Sequence, residues 1–276
     1  MTVSTTFTPL EESLFLTLYA RALDARRDRP ILGDAQAGRI VNEVGYDFGR
    51  LHPDTNLILN VALRARKLDQ VAAAFRARNP DAIGLDLGAG LDTRLARLPS
   101  FPAADWYDVD LPEVAEARRR LVPGGNVIAA DVRDPGWLDA IPAGRPAVIA
   151  ADGLMGFLTR DELITLWKRL LDRFPSGEII FNSYTRFAVR VARHARGTSS
   201  VAGLIRFPGM DDPREPEQWD QRLHLVREIL LSREPEVAEF PRGWRWYHRL
   251  AAHSTAWSRT GTIVLHYRFD RRSETT

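Results

Sequence analysis

The chain has 276 residues, 45% hydrophobic and 27% charged, enough apolar material for a large core and too much for a disordered or fibrous protein. It holds no cysteine, which excludes disulfides, thiolate nucleophiles and Cys-ligated metals and makes a reducing cytoplasm the expected setting. The 38 basic residues nearly balance 36 acidic ones, for a formal charge of +2, so the basic excess of a nucleic-acid binder is missing. Only Lys67 and Lys168 are lysines; the rest of the basic set is arginine, which suits planar carboxylate or phosphate partners.

The opening MTVSTTFTPLEESLF lacks a basic segment leading into an unbroken apolar run. No stretch reaches the roughly 18 to 20 apolar residues of a bilayer-crossing helix, so neither a leader nor a membrane partner is expected. Residues 10–27 carry apolar groups at Leu14, Leu18 and Ala22 and again at Phe15, Tyr19 and Leu23. This stripe is wide enough to need cover on most sides of a helix. A shorter helix is predicted over 33–46 and a long one over 55–78, stopped by Asn79 and Pro80.

Short apolar runs then alternate with helical stretches. Strands are predicted over 83–87, 105–109, 126–130, 147–151 and 178–181, with helices over 91–98, 112–121 and 160–173. The last opens on Thr159 with Glu162 three residues on, a capping box. This alternation predicts an α/β protein with a doubly wound, mainly parallel sheet. Beyond 184 the chain reads as largely helical, with a proline-rich turn at 208–216 and a helix over 217–232. Strand candidates at 236–240 and 262–269 follow, the second alternating as in an antiparallel edge hairpin. Arg186, Arg190, Arg193 and Arg196 recur at helical spacing, a basic stripe that reads as a solvated face or as an attractor for an anionic substrate.

The densest local signal is IGLDLGAGLDTR at 83–94, a strand, a Gly-x-Gly turn and a helix start. Glycine at 88 and 90 lets the backbone turn sharply and approach a ligand closely. As a dinucleotide fingerprint the run is defective, because Thr93 stands at the third glycine and Asp92 adds negative charge where a pyrophosphate would lie. An NAD-dependent oxidoreductase is therefore the weaker alternative. Asp110 follows the turn by about 20 residues, where an acid accepts from ribose hydroxyls; capping the helix opened by Pro112 is its other reading.

These residues resemble the branch of class I S-adenosylmethionine-dependent methyltransferases that contains leucine carboxyl methyltransferases and TcmP-like O-methyltransferases. The resemblance rests on LYARALDARRDRPILGDAQAGRIV near the N-terminus, RARKLDQV at 64–71, LDLGAGLDTRLARL at 85–98, WYDVDLPEVAEARRRL at 106–121 and ADGLMGFLTRDEL at 151–163. It implies a Rossmann-like fold, with S-adenosyl-L-methionine as cofactor. One methyltransferase domain over 1–276 is implied, with a helical N-terminal lid (10–78), a cofactor-binding core (79–183) and substrate-covering helices with C-terminal strands (184–269).

The resemblance also assigns roles. Arg64 would pair with the cofactor's carboxylate beside Gly88 and Gly90, Asp110 would hold the ribose, and Asp131 with the backbone of Val132 would read the adenine edge. Asp152 would sit near the amino and sulfonium end, where the family usually has Glu. Phe157 stands where the family often has Tyr. The function implied is O-methylation of a carboxylate or phenolic oxygen on a small, polyketide-like natural product, free or carrier-bound. A catalytically silent cofactor-binding scaffold is the alternative from another class. Tyr19, Tyr46, Tyr184 and His248, with Phe157, are candidate substrate contacts. No residue is assigned as a catalytic base, and no metal-binding pattern stands out.

Overall fold

The first predicted helix forms as α1, Pro9–Ala25, in the computed structural model, which describes residues 9–193 and 203–270. Next come α2 (Ala35–Glu43) and α3 (Thr55–Arg78). Asp54 opens α3, its carboxylate accepting from Leu57 N at 2.7 Å, and Asn79 closes it ahead of Pro80. Asp34 caps α2 in the same way, accepting from Ala37 N at 3.1 Å.

Seven strands form one sheet: β1 (Ile83–Leu87), β2 (Trp106–Asp110), β3 (Asn126–Ala129), β4 (Ala147–Ala151), β5 (Ser176–Ser183), β6 (Leu223–Leu230) and β7 (Ile263–Asp270). Their order is β3-β2-β1-β4-β5-β7-β6. The first five pair in parallel, and β7 runs antiparallel to both β5 and β6. Strand order reverses between β1 and β4, which leaves a crevice beyond their C-terminal ends. Both strands are buried at every position, as strands covered on both faces must be.

The helices α4 (Arg94–Arg97), α5 (Pro112–Leu121) and α6 (Arg160–Arg173) follow β1, β2 and β4. The capping box of α6 is present, with Thr159 N donating to Glu162 at 2.7 Å and Glu162 N to Thr159 Oγ1 at 3.3 Å. One face of the sheet packs Ile149, Ile179 and Phe181 against Leu163 and Trp167 of α6. The other packs Ala150, Ile180 and Val264 against Leu59 and Leu63 of α3. A third cluster joins Phe15 and Leu18 of α1 to Ile40 of α2 and to Ala117 and Leu121 of α5.

Two expectations near the C-terminus are overturned. Residues 217–232 form no α-helix; a 3-10 turn at Glu215–Gln218 leads to strand β6. Paired with β7, this strand buries Leu223, Ile229 and Leu230 and turns His224 outward, with a bulge between Leu225 and Arg227 that exposes Val226. Residues 236–240 form no strand but a 3-10 turn, Pro235–Glu239. Pro235 has no N–H for a ladder, and the Glu236 carboxylate is drawn to Lys67 of α3 at 2.6 Å. The antiparallel edge pair is therefore β6 with β7.

The remaining helices among the described residues are α7 (Arg186–Ala192), α8 (Arg242–Ala252) and α9 (Thr255–Ser258). Arg186 and Arg190 lie on α7, Arg193 is its C-cap, and Arg196 falls outside the described residues. No helix among the described residues is long and apolar enough to cross a membrane.

Candidate active site

A cavity of about 550 Å³ lies over the C-terminal strand ends, with Leu14, Leu16 and Thr17 of α1 along one wall. At its floor the chain leaves β1 through Gly88 and Gly90, whose φ angles are +66° and +50°. L side chains rarely adopt this backbone. A Cβ on Gly88 would also stand 3.2 Å from the Leu154 side chain. Asp110, ending β2, is fixed by two backbone donors: Gly90 N reaches its Oδ2 at 2.6 Å and Leu111 N its Oδ1 at 2.8 Å. It ties the glycine turn to the start of α5. It is not that helix's N-cap, a position held by Leu111 without a side-chain hydrogen bond.

Asp131 and Val132 line the cavity beyond β3. Arg133 grips the Asp131 carboxylate, donating from its backbone N and Nε at 2.9 Å and also from Nη2. These hydrogen bonds hold the carboxyl below its ordinary range against partial burial. The Val132 carbonyl accepts from Trp137 Nε1 at 3.3 Å, which steadies the loop.

Beyond β4 and β5 a polar group gathers that no stretch of sequence contains. Arg64, buried on α3, places Nε 2.8 Å from Asp152 Oδ1 and donates from Nη1 to Tyr184 Oη at 3.2 Å. The approach to Asp152 is close but not aligned as a hydrogen bond, so both atoms are buried without one among the described residues. Asn182 Oδ1 accepts from Gly153 N at 2.6 Å, while its Nδ2 donates to Tyr184 Oη at 3.3 Å. Ser183 lines the cavity with a buried hydroxyl that has no hydrogen-bond partner among the described residues. Phe157 also lines the cavity, from the 3-10 turn Met155–Phe157.

Asp92, expected to repel a diphosphate, is instead matched by arginines. Arg97 Nη2 lies 2.9 Å, Arg94 Nη2 3.2 Å and Arg21 Nε 4.0 Å from its carboxylate. Burial opposes its ionisation, but Arg97, Arg21 and Arg94 together hold the carboxyl well below the usual range. The missing third glycine remains the mark against a dinucleotide. Asp86 of β1, also on the lining, accepts from Arg94 Nε at 2.8 Å. Burial, reinforced by Asp92 and Asp108, pushes its carboxyl up to about 7 despite Arg94.

The cavity thus brings together Arg64, Gly88, Gly90, Asp110, Asp131, Val132, Asp152, Phe157 and Tyr184. Three predicted substrate contacts lie elsewhere. Tyr46 stacks on Phe15 with ring centroids 4.2 Å apart, and Tyr19 packs at 5.2 Å from Phe48. They serve the contact of α1 with its own neighbours, because α1 turns Leu14 and Thr17, not Tyr19, to the cavity. His248 is buried on α8 between Phe240 and Tyr247, at 4.9 and 5.4 Å. Residues that the sequence reading missed are Asp86, Asn182 and Ser183. A carboxylate inside an apolar strand, IGLDL, and polar residues closing another, EIIFNS, were the available signals.

A family model described as leucine carboxyl methyltransferase matches residues 15–171. The tetracenomycin polyketide synthesis O-methyltransferase TcmP of Streptomyces glaucescens is 38% identical over 235 residues, covering 84% of this chain and 87% of that protein. The S-adenosyl-L-methionine-dependent methyltransferase dpfgK of Gibberella zeae is 32% identical over 237 residues, 77% of this chain and 79% of its own. Among solved structures, the plantazolicin methyltransferase BamL, in complex with a triazolic desmethylPZN analog and SAH, matches with a TM-score of 0.53 at 9% identity. That match covers 95% of this chain and 97% of the other. At that identity it speaks for the fold alone.

Proposed function

The chain belongs to the leucine carboxyl methyltransferase family as an S-adenosylmethionine-dependent O-methyltransferase, and we propose that it methylates a carboxylate on a small, largely apolar, polyketide-like molecule. The residues present fit the cofactor. Gly88 leaves a cradle that a Cβ would fill, and the buried Arg64 Nε and Asp152 Oδ1 lack aligned hydrogen bonds. In this reading Arg64 takes the cofactor's carboxylate and Asp152 its ammonium, so one internal ion pair opens into two pairs with the ligand. Asp110 holds the ribose hydroxyls, and Asp131 with Val132 holds the adenine edge. The turn at 88–90 gives the backbone its close approach. Residues 10–78 act as a lid, through Leu14, Thr17, Leu57 and Val61, and beyond β5 Tyr184, Val189 and Phe207 supply substrate cover.

When bound, S-adenosylmethionine supplies an electrophilic methyl group. The protein's part is to align the acceptor oxygen with it and exclude water. A carboxylate is already ionised at neutral pH and needs no base, whereas a phenol with a pKa near 10 gains from one. One observation carries the choice: no histidine among the described residues lines the cavity, and of its carboxylates Asp92, Asp110, Asp131 and Asp152 are each engaged by arginine or backbone N–H, which leaves only Asp86, itself held by Arg94, as a candidate base. The apolar wall of Leu14, Leu57, Val61, Phe157 and Phe207 supports a hydrophobic body on the acid.

A phenolic acceptor is the second reading. It is favoured by Asp86, which lines the cavity and whose carboxyl is raised to about 7, close to what a general base requires. A panel of matched aromatic acids and phenols, assayed for methyl ester against methyl ether, separates the two. Ester formation is expected; ether as the sole product would overturn the carboxylate assignment.

A further inference from the structure

We propose that Tyr184 is a hydrogen-bond donor dedicated to a carboxylate bound in the cavity, and that Asn182 is the positioning residue that makes it one. The inference rests on the reading above only in taking the cavity as the place where the cofactor and the acceptor meet.

A phenolic oxygen has two lone pairs and one proton. At Tyr184 both lone pairs are occupied: Arg64 Nη1 donates to Oη at 3.2 Å and Asn182 Nδ2 at 3.3 Å. The orientation of the Asn182 amide follows from its other contact, because its Oδ1 accepts from Gly153 N at 2.6 Å. A flipped amide would face that N–H with its own NH₂. With Arg64 unable to accept, and Asn182 presenting only its donor, the Tyr184 proton has no acceptor in this group and must be given to a third partner. Tyr184 lines the cavity, so a ligand bound there is placed to take it. The adjacent guanidinium makes an anion the favoured one.

Asn182 is 1% exposed, and Ala151 pairs with Phe181 in the β4–β5 ladder, so Asn182 stands beside Asp152 and Gly153. One buried amide thus fixes both the backbone after β4 and the direction of the Tyr184 proton. Two carboxylates meet this description, that of the cofactor's amino acid end and that of the acceptor. They share one chemistry and are separable by experiment.

The test uses the full chain, with Tyr184→Phe, Asn182→Asp and the double variant. Asn182→Asp exchanges the Nδ2 donor for an acceptor and turns the Tyr184 proton away from the cavity. S-adenosylhomocysteine affinity is read by calorimetry, and KM and kcat with an aromatic acid. If the cofactor's carboxylate is the partner, Tyr184→Phe weakens S-adenosylhomocysteine about tenfold. If it is the acceptor's, that affinity is unchanged and KM for the acid rises about tenfold. In either case Asn182→Asp gives a similar loss, and the double variant loses no more than the worse single one, which a merely structural role would not produce. Unchanged cofactor affinity together with no rise in KM, or with no turnover of any acid, overturns the proposal. Failure of acids to turn over would by itself remove only the acceptor assignment, since the calorimetry judges the donor independently.

Discussion

Thr93 Oγ1 donates to Asp34 Oδ1 across 2.5 Å, joining residues 59 positions apart. The same buried carboxylate caps α2 and accepts from Arg21 Nε at 3.1 Å and Arg97 Nη1 at 3.0 Å, while Arg21 also reaches the Leu91 carbonyl at 3.0 Å. The N-terminal helices are thereby fastened to the turn that follows β1. Removing one partner of a buried ionic group leaves uncompensated charge, at a cost of about 3 to 5 kcal/mol. Asp34→Ala is expected to lose stability in that range in urea unfolding. A change below about 0.5 kcal/mol, typical of an ordinary surface site, would show that the network does not hold the N-terminal helices to the turn.

Asp110 should be indispensable for cofactor binding. It stands at a strand end, preset by Gly90 N and Leu111 N. Asp110→Ala removes both the proposed ribose acceptor and the clamp on the glycine turn. Calorimetry with S-adenosylhomocysteine should register at least a roughly tenfold weaker affinity. Wild-type affinity in the variant would move the ribose elsewhere.

Asp86 predicts a pH dependence of stability in the ligand-free enzyme. Its carboxyl rises from the usual 3.8 to about 7, chiefly through burial. Between those values the unfolded chain has released a proton that the folded protein keeps. Stability therefore falls as pH rises through this window, and the loss is complete above about 7. Asp86→Asn should flatten the decline in unfolding temperature between about pH 4 and about pH 7. An unaltered decline would assign it to another group.

His248 should be dispensable for catalysis. Both ring nitrogens are buried without hydrogen-bond partners among the described residues, and burial lowers its pKa, favouring the neutral ring. An unpaired buried polar group costs about 1 to 3 kcal/mol. His248→Phe keeps the edge-on packing with Phe240 and Tyr247 and should leave stability equal or higher, with kcat unchanged. A fall in kcat by more than about tenfold would return His248 to the active site.

The capping box of α6 offers a local stability test. Thr159→Ala removes the side-chain acceptor for Glu162 N and should cost about 1 kcal/mol. Glu162 also holds Arg206 at 3.0 Å, so Glu162→Ala should cost at least as much. Denaturant midpoints for the two variants check both.

Much of this protein was legible in its sequence. The runs at 83–87 and 147–151, the helices at 55–78, 112–121 and 160–173, and the glycine turn are local features. Each is set by side-chain periodicity, a capping residue or a backbone that only glycine adopts readily. Asp110 could be placed by its distance from the glycine turn, and Asp131 and Asp152 by the family resemblance; a parallel sheet then delivers its strand ends to one edge. Other features needed the folded chain. Residues 223–230 have leucines at both helical and alternating spacing, and only the free edge of β7 made them a strand. Tyr19, Tyr46 and His248 are apolar enough to face a cavity or a core, and packing from distant segments chose the core. The joining of Arg64 to Tyr184, of Asn182 to Gly153 and of Asp34 to Thr93 depends on contacts 120, 29 and 59 residues apart. Periodicity carries no information at such separations; tertiary packing decides them.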